Sequence, residues 1–110
     1  MAVPTTTLRN LADAVLAAAP AVLYTVPSLT MAAIRSAQFC NTTAGVVALT
    51  VAVQARAGGT VRTLLSAHPI AVNETYPGYE LLGVVLEAGG TVQASGLGLT
   101  AVLSGVEVVG

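Results

Sequence analysis

His68 is the sole imidazole in this 110-residue chain, and Ser66, two positions earlier, is the nearest hydroxyl it could activate. Alternate residues of a strand share a face, so nucleophile and base could meet. A working pair also needs a carboxylate to orient the ring, and only Asp13 or a glutamate from elsewhere could supply it. Cys40, the other nucleophile, is distant in sequence. His68-Pro69 reads as a strand end entering a turn, so the expected role is that of a structural or surface histidine.

Glu74, Glu80, Glu87 and Glu107 are the remaining chemistry-bearing groups. Paired carboxylates can do acid–base work or hold a hard cation. No Asp-rich loop accompanies these, and all but Glu107 fall at or beside expected strand ends, where charge discourages strand-to-strand aggregation. One His and one Cys cannot fill a tetrahedral metal site unless several copies contribute. Gly96-Leu97-Gly98 lacks the further glycine and the strand-to-helix setting of a dinucleotide loop and reads as a hairpin turn. Tyr24, Tyr76, Tyr79 and Phe39 are the only aromatics, too sparse for a stacking platform and expected as core or interface anchors. The chain is therefore expected to be no enzyme, with no catalytic residue, cofactor or metal.

Arg35 and Arg62 fall inside expected strands, which is unusual where charge is scarce. Each either lies on a solvated edge or pairs across a subunit boundary with a glutamate such as Glu80 or Glu107, where a bidentate guanidinium contact would fix register.

These residues sit in a chain that is 55% apolar and 8% charged, with a net charge of −1. About a quarter of a typical soluble domain is charged. A folded chain of this mass exposes roughly 5,600 Å², leaving about one formal charge per 600 Å². Much of that surface is expected to face other protein. Four arginines, no lysine and no basic run exclude a phosphate-binding patch, so no nucleic-acid partner is expected. The longest uncharged stretch, Ala14 to Ile34, is broken by Pro20, Pro27 and Ser28, which speaks against a membrane span. Asp13 and the absence of a basic start argue against a signal peptide, and the lone Cys40 fits a reducing compartment.

The elements that would position these groups are strands. Val47, Leu49, Val51 and Val53 alternate with Ala48, Thr50, Ala52 and Gln54. Further strands are expected at Ala21 to Val26, Met31 to Cys40, Val61 to Ala67, Tyr79 to Leu86, Thr91 to Ser95 and Leu99 to Val108. Between them lies turn chemistry, including Pro27-Ser28, Asn41 to Gly45, Gly58-Gly59, Asn73 to Gly78 and Gly89-Gly90. Short strands at this spacing imply an all-β sandwich or barrel. Before them, Leu8, Leu11, Ala12, Val15 and Leu16 have helical spacing between Thr7 and Pro20, so residues 1–20 read as a short helix or an extended arm preceding a sandwich over 21–110. Late strands are apolar on both faces: Leu99, Ala101 and Leu103 oppose Val102, Val106 and Val108. A monomeric sandwich needs one apolar face per strand, so the second is expected to meet neighbouring copies.

The order of motifs carries a resemblance. Leu23-Tyr24-Thr25-Val26-Pro27, then Phe39-Cys40-Asn41-Thr42, then Val47 to Val53, Asn73-Glu74-Thr75, Val85 to Val92, and Val102 to Glu107 together resemble small virion proteins of tailed bacteriophages. The resemblance implies a single jelly-roll β-sandwich of about seven to eight antiparallel strands. It further implies a non-enzymatic homotrimer acting as a capsid decoration, or cement, protein on the major capsid protein or other virion proteins, located in the virion after assembly in the host cytoplasm. The alternative it leaves is a tail, collar or fibre module that binds host glycan, which an exposed aromatic cluster would mark. Interface candidates are Leu8, Leu11, Val15, Leu16, Arg35, Arg62, Tyr76 and Tyr79.

Overall fold

A computed structural model describes residues 5–109, which form nine strands and one 3₁₀ turn. In chain order these are β1 (Thr5–Val15), β2 (Ala21–Thr25), β3 (Thr30–Asn41), β4 (Val47–Gln54), β5 (Val61–Ile70), β6 (Thr75–Pro77), the 3₁₀ turn Tyr79–Leu81, β7 (Val85–Leu86), β8 (Thr91–Ser95) and β9 (Leu99–Val109). No helix among the described residues is long and apolar enough to cross a membrane.

The strands make two antiparallel sheets. One has the order β1-β9-β3-β6, with β7 also on β3, and the other the order β2-β8-β4-β5. Since β6 and β7 share one position beside β3, the pairs nest as β1 with β9, β2 with β8, β3 with β6 and β7, and β4 with β5. A long hairpin rolled upon itself gives this nesting, which is a jelly roll: the sandwich expected from the strand pattern, with the winding that the family resemblance implies.

Period-two alternation builds the core. On β9, Leu99, Ala101 and Leu103 point inward while Thr100, Val102, Ser104 and Val106 point outward. On β4, Leu49, Val51 and Val53 point inward, as their spacing predicts. Ile34 and Phe39 from β3, Val92 from β8, and Leu81 and Leu86 complete the layer between the sheets.

Three local expectations are corrected. Of the two N-terminal readings the extended one holds and the helix is overturned: Thr5–Val15 is a strand paired along its length with β9, the edge strand of a sheet. Its apparent helical spacing comes from a one-residue bulge at Leu11: Leu8 points out before it, Leu11 and Ala12 both turn inward, then Val15 points out and Leu16 in. The stretch Tyr79 to Leu86 is no continuous strand, because the 3₁₀ turn and the left-handed Gly83 (φ 81°) break it before β7. Thr75–Pro77, read as turn, pairs with Gln38–Cys40 as β6.

A second bulge, at Arg35 on β3, lies across β9 and one residue along from the first. Gly105, paired with Arg9 on one side and Ile34 on the other, sits beside both. A β-carbon there would lie 2.3 Å from the Ala33 carbonyl oxygen and 2.9 Å from Leu11 Cδ1, so the three strands close up only around a glycine. The Arg35 bulge keeps Ile34 and Ala37 in the core while leaving Arg35 and Ser36 both exposed.

Candidate interaction surface

The groups that could do chemistry do not converge as a catalytic set. His68 is half-buried on β5, its ring 4.6 Å from that of Tyr76 at 40°. A bulge between Leu65 and His68 takes up Ser66 and Ala67, interrupting the alternation that would have set Ser66 and His68 on one face. Cys40 belongs to the opposite sheet, opposite Thr75 and Thr100. Among the described residues no three of His, Cys, Asp and Glu come together as a metal-binding group.

Four carboxylates have four different surroundings. Glu107, 4% exposed, is enclosed between the sheets, accepting a hydrogen bond from Arg9 Nη1 at 2.9 Å and a short one from the Tyr24 hydroxyl. A carboxylate removed from water needs such partners. Arg9 is on β1, Glu107 on β9 and Tyr24 on β2, so the triad links both sheets. Burial, and then the bond to Glu107 and its charge, push the Tyr24 phenol far above its ordinary range. Glu107 is therefore occupied within its own chain and is not the acid left for Arg35 or Arg62.

Glu87 pairs with Arg56 at 3.1 Å in an exposed contact, and Glu74 accepts the Ala71 backbone N–H at 2.7 Å. Both sit beside turns, where solvated charge was expected. Glu80 is half-buried and accepts the Tyr76 hydroxyl at 2.5 and 3.0 Å through its two oxygens. Burial first, then Glu80, raise the Tyr76 phenol to about 12. The Tyr79 ring stands edge-on to Tyr76, 6.3 Å away at 81°, and is 66% exposed. Two of the four aromatics, Tyr76 and Tyr79, thus gather with His68 at one corner of the sandwich. Sequence spacing offered no signal for His68 joining them, since β5 and β6 belong to different sheets.

The candidate interface residues separate by orientation. Leu16 is core and Leu11, half-buried, packs against the core. Leu8, 77% exposed, and Val15 point outward from β1. Register places Leu8, Val106, Ala33 and Val85 in one row across the outer face of this sheet, with Val108 and Met31 in the next. An apolar band therefore crosses the outside of β1, β9, β3 and β7, as the two-faced β9 pattern anticipates. Arg35 is exposed at its bulge, and Arg62 is exposed on β5 beside a shallow groove that also holds Arg56 and Gly59. Neither has an acidic partner among the described residues.

No family model matches the chain, and no curated protein matches it in sequence. Its fold has counterparts among solved virus particles. A chain of the T=13 particle of infectious bursal disease virus superposes with a TM-score of 0.53 at 12% identity, over 96% of this chain and 31% of that one. The likeness is one of fold. A chain of the Gx strain of the same virus gives 0.55 at 12% identity over 98% and 33%, and one of the Gt strain 0.51 at 10% over 96% and 32%. This chain spans about a third of the length of the viral chains it matches.

Proposed function

We propose that this chain is a non-enzymatic structural component of a bacteriophage virion, a homotrimeric capsid decoration protein that binds the major capsid protein and stabilises the assembled head. The observation that carries the reading is the jelly roll matched over nearly the whole chain by chains of virus particles. The order of motifs supports the bacteriophage assignment. The apolar band on the outer sheet face supports assembly with copies of itself or other virion proteins; virion location, after assembly in the host cytoplasm, is part of the same reading. A protein that binds only the assembled lattice stabilises that lattice by mass action.

The test is an image reconstruction of particles with and without the gene for this chain. Density on the head lattice in high copy, lost in the deletion, is the expected result. Particles lacking the chain altogether overturn the virion reading.

One observation favours a second reading, a tail, collar or fibre module that binds host glycan: the corner formed by Tyr76, Tyr79 and His68 beside Glu80. Density confined to a dozen or fewer copies on the tail would establish it over the first.

A further inference from the structure

We propose that the edge of the sandwich carrying Arg35, Tyr79, Glu80, Leu82 and Val85 is the contact between copies of this chain, the Arg35 guanidinium of one copy entering the Tyr76–Tyr79 corner of the next to bind its Glu80 carboxylate. The inference rests on the self-assembly reading above and specifies its surface.

Charge complementarity points to a second copy. Two of the four arginines are satisfied within the chain, Arg9 by Glu107 and Arg56 by Glu87. Glu80 is the half-buried carboxylate with no cation beside it among the described residues, held only by the Tyr76 hydroxyl. That hydrogen bond fixes the carboxylate without neutralising it. A guanidinium suits the vacancy better than an uncharged sugar, because it meets the carboxylate as a fork and stacks on the exposed tyrosine face.

Arg35 is the donor by position. The loop bearing Glu80 is stitched to β3 on either side of Arg35: Gly78 N–H donates to the Ala37 carbonyl at 2.8 Å, Gly83 N–H to the Ile34 carbonyl at 2.9 Å, and Ile34 N–H to the Val84 carbonyl at 3.0 Å. Arg35 is the residue the bulge adds between Ile34 and Ser36, and bulges beside functional surfaces re-aim a side chain. Tyr79, Leu82 and Val85 are exposed along the same loop, giving the contact an apolar centre next to its charges. With donor and acceptor on one surface, each copy both gives an Arg35 and receives one, so the contact is self-complementary and closes the oligomer around an axis.

The experiment measures the mass of the purified full chain by sedimentation, with circular dichroism and thermal melting to establish that each variant is folded. The wild type is expected as a closed oligomer. Arg35→Glu and Glu80→Arg should each weaken association at least about tenfold, and the double reversal should recover it. Arg35→Ala and Glu80→Gln replace any reversal that fails to fold. A monomeric wild type, single variants of unchanged mass, or a double variant without recovery overturns the contact. The same loss from Arg62→Glu but not from Arg35→Glu overturns the choice of donor. Occupancy of the same variants on particles separates the two readings: unchanged occupancy without any mass effect sinks this contact and leaves the virion role standing. Recovery of mass in a chain absent from particles does the reverse.

Discussion

Arg9 on the edge strand and Glu107 near the end of β9 form an ion pair at 2.9 Å, and the same carboxylate takes the hydroxyl hydrogen of Tyr24 from the opposite sheet. Glu107 is thereby a polar clasp inside an apolar sandwich. Replacing Arg9 with Met removes one hydrogen-bonded charge and leaves the carboxylate only Tyr24. Because the Arg9 side chain is more than half exposed, the loss is expected at about 1–3 kcal/mol rather than the larger cost of breaking a fully buried pair. Urea unfolding of wild type and variant measures it, and a change below about 0.5 kcal/mol contradicts the clasp.

Gly105→Ala drives a methyl group into the Ala33 carbonyl, a backbone atom that cannot step aside while both bulges hold. A destabilisation of about 3 kcal/mol or more is expected, by the overpacking mechanism that produces the largest single-residue effects. Gly45→Ala, whose added carbon meets nothing, serves as the control. Equal melting temperatures for the two variants would refute the close approach of the three strands.

Leu29 holds a left-handed backbone (φ 57°) while its side chain is 80% exposed. A leucine gains nothing locally from that conformation, and glycine adopts it freely. Leu29→Gly should therefore stabilise the isolated chain by roughly 0.5–1 kcal/mol. Differential scanning calorimetry tests the sign, which is the informative part: a lower melting temperature means that the leucine side chain contributes contacts that its exposure does not reveal.

Tyr24 and Tyr76 both have phenol pKa values raised in the folded state, Tyr76 to about 12. A raised pKa means that the folded state holds the proton longer than the unfolded state, so the associated stability is fully present below the ordinary phenol pKa near 10 and is lost as pH climbs through about 12. Alkaline titration followed by tyrosinate absorbance should show delayed ionisation in the folded protein that vanishes in denaturant. Tyr76→Phe should remove part of the delay. Identical titration curves with and without denaturant would contradict both hydrogen bonds.

Deleting residues 1–19 removes β1 and with it Arg9, Leu11 and the core residue Leu16. The edge of β9 is then uncovered along a strand apolar on both faces, a template for pairing between chains. The truncated chain is expected to aggregate or to lose cooperative unfolding. A soluble monomer with an unchanged melting curve would show that β1 is dispensable to the sandwich.

Much of the architecture was legible because strand faces are written locally. The alternation at Val47–Gln54 told which side chains enter the core, that at Leu99 to Val108 separated the two faces, and the turn residues told where strands stop. Two-faced β9 announced the apolar band on the outer surface in the same way. Bulges defeated the reading at Leu11 and at Ser66, since one added residue inverts the parity of everything after it and, at Leu11, mimics helical spacing. The Tyr79 to Leu86 stretch misled for a related reason: its apolar residues suited a strand, but Gly83 turned the chain.

Charge scarcity, the alternation of uninterrupted strands and the absence of a basic patch were determined by the sequence alone, because each follows from residue identity and nearest neighbours. Which charges meet was decided only by the winding of the jelly roll. Arg9 and Glu107 stand 98 positions apart, and His68 reaches Tyr76 from a strand of the other sheet. Such pairings depend on how the long hairpin rolls and where bulges reset its register, and no local pattern encodes them. The tertiary structure therefore enclosed Glu107 and left Arg35 and Glu80 on one edge without opposite-charge partners among the described residues, although both kinds of residue look alike in the sequence.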